Sequence, residues 1–439
     1  MTKYIASCLN SLSPLGYRLV KGSFWALLGS VASRAMMLVA SIVIARVLGK
    51  EEFGELGAIQ STVGMLGIFA GLGLGLTATK YVAEFRQKDP AKAGRIIALS
   101  FVVTLVTGSF LTILLYLLAP WLAAATLAAP HLYPLLRIGT LLLLFGAING
   151  AQVGALSGLE AFRPLAGINM FSGIASFPIM LACVYFGGLS GVVWGYVVSA
   201  MISCLGSHYM LRVETRSKNI AIHFAGCFKE WRILYSFSLP AVLSQIMVGP
   251  VNWLCAVMLI NQPNGYAELG IFNAANQWYN ALMFLPGIIG QVAMPILSEQ
   301  IGIQELRSSK RVLKYSIMAN AACVLPIVAI SCFASSFVMG LYGRDFDGSG
   351  GILIVVLLTA ALVSVQNPVG NIIAAADKMW IGFLTNFGWG IVIILLTYLF
   401  LTQGALGFAY ARLGAYIVHG IWVFFYVYRL IKEYEELYG

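Results

Sequence analysis

Apolar residues in this chain gather into long, nearly unbroken runs. They follow neither the two-residue alternation of a half-buried strand nor the narrow stripe of a surface helix. Each run is about 20–28 residues long, the length a helix needs to cross a bilayer. Twelve spans are predicted, at 22–46, 54–80, 93–119, 133–156, 165–186, 190–211, 234–260, 266–296, 312–335, 350–374, 380–402 and 404–429. Turn chemistry separates them, as in "GGLSG" (187–191), "NQPNGY" (261–266) and "GRDFDGSGG" (343–351). In lipid, every backbone N–H and C=O must bond within the protein, so spans are helices or a closed barrel. A barrel would show short alternating segments. The expected fold class is therefore an all-α polytopic membrane protein.

Hydrophilic segment 212–232 divides six spans from six. The halves resemble each other: "FGELGAI" (53–59) matches "YAELGIF" (266–272), and "GLEAF" (158–162) faces "AADKM" (375–379), aligning Glu160 with Asp377. An even number of spans per half gives both repeats the same orientation. Two such halves, related by an axis along the membrane normal, form a transporter architecture with a central site. The predicted organisation is an N-terminal lobe (1–213), a cytoplasmic linker (214–231) and a C-terminal lobe (232–439). The two six-helix lobes would surround a central cavity.

Composition agrees with this reading. The 439 residues are 60% hydrophobic and only 10% charged, where soluble domains average about 25% charged. Mean hydropathy is +0.87. The seven cysteines, Cys8 among them, show no CxxC pairing and read as small apolar residues. A net charge of +10 raises the question of nucleic acid, but its distribution answers otherwise. Of the 27 Lys and Arg, 21 fall on one side. They lie in the N-terminus (Lys3, Arg18, Lys21), the 2–3, 4–5, 6–7, 8–9 and 10–11 connections (such as Arg163, Arg307 and Lys378), and the C-terminus. The other side has Arg46, Lys50 and Arg344. The positive-inside rule then makes both termini cytoplasmic, and no nucleic-acid partner is expected.

Three arginines, Arg34, Arg137 and Arg412, fall inside spans. Arg34 is near the middle of span 1 and shares a helical face with Ser30, Ser33, Met37 and Ser41. An arginine at the bilayer centre costs roughly 3 kcal/mol on insertion scales. No Asp or Glu lies near the middle of any span to offset it. Arg137 and Arg412 sit about two turns in from the outer side, and Arg46 marks the outer end of span 1. The bland reading pairs each arginine with backbone carbonyls or lets it snorkel. The sharper one is a cationic, partly hydrated cavity for an anion, since guanidinium binds phosphate bidentately and keeps its charge.

In span 8, Asn273, Asn276, Gln277 and Asn280 share one face, and Gln291 extends it. Amides on that face suit helix packing or the hydroxyls of a sugar. The matching face of span 2 carries Gln60 among Gly57, Gly64, Gly67, Gly71 and Gly75, and its glycines read as packing surface. Glu55 and Glu268 open spans 2 and 8. They read first as acids well placed at helix N-termini, and otherwise as a coupling-ion site for a proton or Na+. "GLGLGL" (71–76) lacks the third glycine of G-x-G-x-x-G and any strand–turn–helix context. No cofactor, metal or ATP hydrolysis is expected.

Residues 21–85, with "ARVLGKEEFG" (45–54), a glycine-rich span 2 and "YVAEFRQKDPAKAGR" (81–95), resemble the opening of the polysaccharide-transporter family. These are the O-antigen and lipid-linked oligosaccharide flippases of the multidrug/oligosaccharidyl-lipid/polysaccharide export (MOP) superfamily. "SGLEAFRP" (157–164) fits as well. The resemblance implies flipping of an undecaprenyl-pyrophosphate-linked oligosaccharide across the inner membrane by alternating access, for O-antigen, capsule or exopolysaccharide biosynthesis. It implies that cavity arginines hold the pyrophosphate, with Arg34 the best match and Arg46, Arg137 and Arg412 beside it. Its partners would be the lipid-linked anionic oligosaccharide, membrane lipids and the polysaccharide polymerase machinery. Proton, Na+ or membrane potential would drive it. The alternatives are a lipid II- or teichoic-type flippase, a cation-coupled drug exporter, or an integral-membrane glycan polymerase or acyltransferase. An enzyme would need a catalytic constellation on an outer loop. Only His131 and the Arg344/Asp345/Asp347 cluster lie there, so the expectation is a non-enzyme.

Overall fold

The structure, a computed structural model, describes residues 14–238, 246–302, 306–376 and 378–438. Lys3, Cys8 and Asp377 lie outside the described residues, and so do the side chains of Arg18, Lys21, Ser30, Gln291 and Arg307. Among the described residues there is no strand. The α-helices are α1 (Pro14–Gly71), α2 (Leu74–Phe85), α3 (Pro90–Trp121), α4 (Tyr133–Gly158), α5 (Phe162–Ser217), α6 (Val248–Ile260), α7 (Gly265–Gly302), α8 (Leu306–Phe333), α9 (Ser335–Gly340), α10 (Gly350–Ala375), α11 (Met379–Phe400) and α12 (Gly404–Tyr438).

Among the described residues, seven helical stretches are long and apolar enough to cross a membrane, and three of them run to 53–56 residues. Each of these three contains a glycine with positive φ: Gly49 (75°), Gly188 (54°) and Gly404 (60°). A side chain would resist that conformation, so the helix breaks there. Contacts centred on two of the breaks show the chain folding back on itself. Ser172 and Ser203 hydroxyls meet on either side of Gly188. Around Gly404, a Cβ at Gly388 would lie 2.5 Å from Trp422, and one at Gly414 would lie 2.9 Å from Leu396. With α6 and α7 added, the set is consistent with the twelve spans expected. Span 2 does not run unbroken to residue 80. Leu72 (φ 42°) and Gly73 (φ 63°) interrupt it between α1 and α2. "GLGLGL" is thus a helix break within an apolar run.

The apolar surface is what lipid requires. Phe186 and Phe333 are 93% and 95% exposed, and Phe110, Leu117, Ile330 and Tyr398 are also exposed. Such a belt would make a soluble protein aggregate.

The described chain forms two compact units. The first comprises 1–40, 66–118 and 135–242, and the second comprises 41–65, 119–134 and 243–439. Residues 41–65 and 119–134, which the sequence assigns to the first lobe, therefore pack inside the second unit. In the first unit a core of Val82, Ile96, Ile97, Leu156, Leu211 and Ile220 gathers near the basic side. In the second, Leu297, Val369, Ile372, Val423 and Val427 do the same.

The internal repeat has a direct role in the second unit. A Cβ on Gly54 would lie 1.8 Å from the carbonyl oxygen of Tyr266, and one on Gly270 would lie 1.9 Å from that of Lys50. The starts of spans 2 and 8 are thus pressed main chain against main chain at Gly54 and Gly270, an approach only glycine permits. The 3–4 connection joins the same contact. Tyr266 Oη donates to Leu127 O at 2.7 Å, and Asn261 Nδ2 donates to Thr126 O at 2.9 Å.

Candidate functional site

The second unit places one intramembrane arginine against the amide face of span 8. Arg412 lies two turns into α12, and Asn276 lies three turns into α7. Arg412 Nη1 donates to Asn276 Oδ1 at 2.6 Å. The guanidinium lies 4.3 Å from the centre of the Tyr279 ring and 6.0 Å from that of Phe272. No carboxylate reaches it among the described residues. The cation is held by one amide oxygen and an aromatic face, which offset part of its desolvation.

Aromatic residues extend this cluster. Tyr279 is buried, with its ring under the Arg412 guanidinium. Tyr416 packs 5.5 Å from Trp389 and 6.4 Å from His419, ring centre to ring centre. Arg412 Nε and Trp389 Nε1 are buried donors with no hydrogen-bond partner among the described residues. Guanidinium carries five N–H donors and no acceptor, so the cluster is rich in donors. It suits a ligand made of acceptor oxygens, such as a phosphate or a sugar.

The other span 8 amides are spread along the face. Asn273 is wedged onto the span 2 glycine stripe, with its Nδ2 1.8 Å from where a Cβ on Gly57 would stand. That Nδ2 is buried and has no partner among the described residues. Gln277 is half-buried and Asn280 is exposed, and Gln60 across from them is half-buried. The glycine stripe itself divides. Gly54, Gly57 and Gly75 are in tight contact, whereas a Cβ on Gly64 or Gly71 would meet no atom within 4 Å.

Arg34 belongs to the first unit and is exposed on α1. Its neighbour Ser33 packs on Gly173, 2.9 Å from the position of a Cβ there. Met37 is exposed and Ser41 buried. Arg137 is engaged in packing. Its Nε donates to Tyr116 O at 3.4 Å, and its guanidinium lies 4.6 Å above the Tyr116 ring. Arg46 is exposed at the C-terminal end of span 1, its stem beside Gly343.

The two candidate coupling acids have structural partners. Glu55 Oε1 is 2.7 Å from His131 Nε2. Glu268 Oε2 accepts from the backbone N–H of Ala405 at 2.7 Å, capping the N-terminus of α12. The sequence places Glu268 at the start of its own helix, and the structure shows it serving a second one. Glu268→Ala is expected to destabilise the protein by about 1 kcal/mol through loss of this cap. Thermal unfolding should register it, and export per folded protein should be unchanged. Among the described residues, no three His, Cys, Asp or Glu gather where a metal ion could bind.

The sequence analysis missed Tyr279, Tyr416 and Trp389. A signal was present: Tyr279 is three residues after Asn276, and Tyr416 is four after Arg412, on the same helical faces.

A family model described as "polysaccharide biosynthesis protein" matches residues 19–301. The chain belongs to this family. Among curated relatives, the EPS I polysaccharide export inner membrane protein EpsE of Ralstonia nicotianae is 24% identical over 85% of each chain. Lipid III flippase of Escherichia coli is 23% identical over 75% of this chain and 76% of its own. The lipopolysaccharide biosynthesis protein WzxC of Escherichia coli is 23% identical, over 84% and 72%. Among solved structures, an inward-facing multidrug resistance MATE family transporter of the MOP superfamily superposes with a TM-score of 0.81 at 16% identity. It covers 94% of this chain and all of its own. This polysaccharide biosynthesis family member therefore has the fold of that superfamily. It is a multi-pass membrane transport protein, and its relatives are transporters, not catalysts.

Proposed function

We propose that this chain is a flippase that moves an undecaprenyl-pyrophosphate-linked oligosaccharide to the outer leaflet of the inner membrane. It would work by alternating access and serve O-antigen, capsule or exopolysaccharide biosynthesis. The observation that carries the reading is Arg412, a half-buried cation without a carboxylate among the described residues, set against an amide face in a chain of this family. Relatives that export EPS I polysaccharide and flip lipid III support the substrate class.

In this reading the basic side is cytoplasmic, and the pyrophosphate enters there and meets Arg34. Alternating access carries the head group outward while the prenyl tail stays in lipid. The span 8 amides contact the sugar. Arg412, Arg137 and Arg46 guide the anion toward release. Glu55 and Glu268 each hold a structural partner, so the membrane potential is the favoured driving force. An inside-negative potential drives an anion outward by about 2.3 kcal/mol per charge per 100 mV.

The test is complementation of a strain lacking the chain, with Arg34→Ala and Arg34→Lys compared at matched protein level. Both are expected to reduce surface polysaccharide at least tenfold and to leave lipid-linked oligosaccharide accumulating on the cytoplasmic side. Full export by both variants would remove Arg34 from the pathway.

A further inference from the structure

The first unit holds a second feature that transport does not use. A cavity of about 350 Å³ opens on the basic side, where the end of α5 meets the start of α3 and the segment that follows α5. Its walls are apolar, with Ile97, Phe101, Leu211 and Phe224, and its rim carries Arg212 and Arg216. Phe224 packs edge-on against Phe101 at 6.3 Å, and His208 closes the inner end 6.2 Å from the same ring.

The pocket is built into the fold. A Cβ on Gly94 would lie 1.9 Å from Ala221 O, so the segment lies directly on α3. Ile220 is buried and its N–H is bonded to Thr215 O. Arg95 donates twice to Glu230 Oε1, at 2.9 and 3.0 Å, fixing the far end of the segment. Among the described residues neither Arg212 nor Arg216 has a carboxylate partner, since nearby Glu214 is paired with Lys218. Phe224, Phe228, Trp231 and Tyr235 are all exposed along the same segment, beside Lys229 and Arg232. Aromatic rings among basic residues mark the depth of lipid headgroups.

We infer that this pocket binds one anionic phospholipid of the adjacent leaflet, its phosphate on Arg212 and Arg216 and an acyl chain against Phe101 and Phe224. Charge complementarity selects an anionic headgroup over a zwitterionic one. The apolar walls select a lipid over a free anion. A bound lipid would tie the segment joining the two halves to the membrane surface.

Native mass spectrometry and thermal unfolding of the full chain in neutral detergent test this. Phosphatidylglycerol is expected to be retained as one tight adduct and to raise Tm more than phosphatidylcholine does. Arg212→Gln/Arg216→Gln should weaken phosphatidylglycerol binding about tenfold, and Arg212→Lys/Arg216→Lys should restore most of it. Lys229→Gln/Arg232→Gln, on the same surface but outside the cavity, should leave it unchanged. The inference is overturned if the two lipids bind equally, if inorganic phosphate alone reproduces the shift, or if the two Gln double variants behave alike.

Discussion

Gly270→Leu is expected to lower Tm by about 10 °C and to abolish export. A Cβ at this position would sit 1.9 Å from the Lys50 carbonyl oxygen. A flexible side chain could swing aside, but a helix backbone cannot. The N-terminal ends of spans 2 and 8 must then separate. Overpacking costs about 1–3 kcal/mol, and an unyielding backbone partner places this case at the upper end. For a unit of this size each kcal/mol shifts Tm by about 2–4 °C. Gly54→Leu, which meets Tyr266 O from the other side, should behave the same way. Gly64→Ala is the control: its Cβ meets nothing within 4 Å, so Tm should be unchanged or slightly raised. Thermal unfolding of the purified chain checks all three. Equal Tm values for Gly270→Leu and wild type would show that the helices part there without penalty.

The second large effect is at Arg412. Arg412→Met is expected to reduce export about a hundredfold while raising Tm or leaving it unchanged. The opposed signs follow from the arginine's surroundings. It holds a charge partly out of water with one amide oxygen and aromatic faces as compensation, and methionine of similar reach removes that charge without opening a large void. Replacing buried ionic groups by apolar ones is often neutral or stabilising. In the proposed flippase, what is lost is the charge-assisted contact to the anion, about 1.5–3 kcal/mol for each hydrogen bond made. Arg412→Lys retains the charge but loses the fork and the stacking on Tyr279, and about a tenfold reduction is expected. A residue needed only for packing would lose stability and transport together. A parallel fall in both would therefore reassign Arg412 to the scaffold.

Much of the fold could be read from the sequence because lipid imposes a simple code. An apolar run of the right length has only one structural outcome. The repeat was visible as "ELG" in each half, but its purpose was not. Nothing in a string of letters says that Gly54 and Gly270 touch each other across 216 residues. Arg412 and Asn276 were each legible as unusual residues for a membrane interior. Their pairing depends on the rotation of α12 against α7, which periodicity does not fix. Glu268 shows the same limit. Its place at a helix start is in the sequence, but the N–H it caps, that of Ala405, lies 137 residues later. The unit boundaries were hidden for a related reason. Residues 41–65 and 119–134 join the second unit through loop and glycine contacts that carry no hydropathy signal.

Glu268 and Arg412 have a joint consequence. Glu268 ties the first turn of α12 to α7, and Asn276 ties Arg412 to the same helix farther along. The two rungs are eight residues apart on α7 and seven on α12, or about 12 Å along the axes. One rung would leave the helices free to pivot and to roll. Two rungs remove both freedoms, so the pair moves as a single rail. The guanidinium then keeps one fixed bearing, so in the proposed flippase a head group would meet a donor fork already aimed.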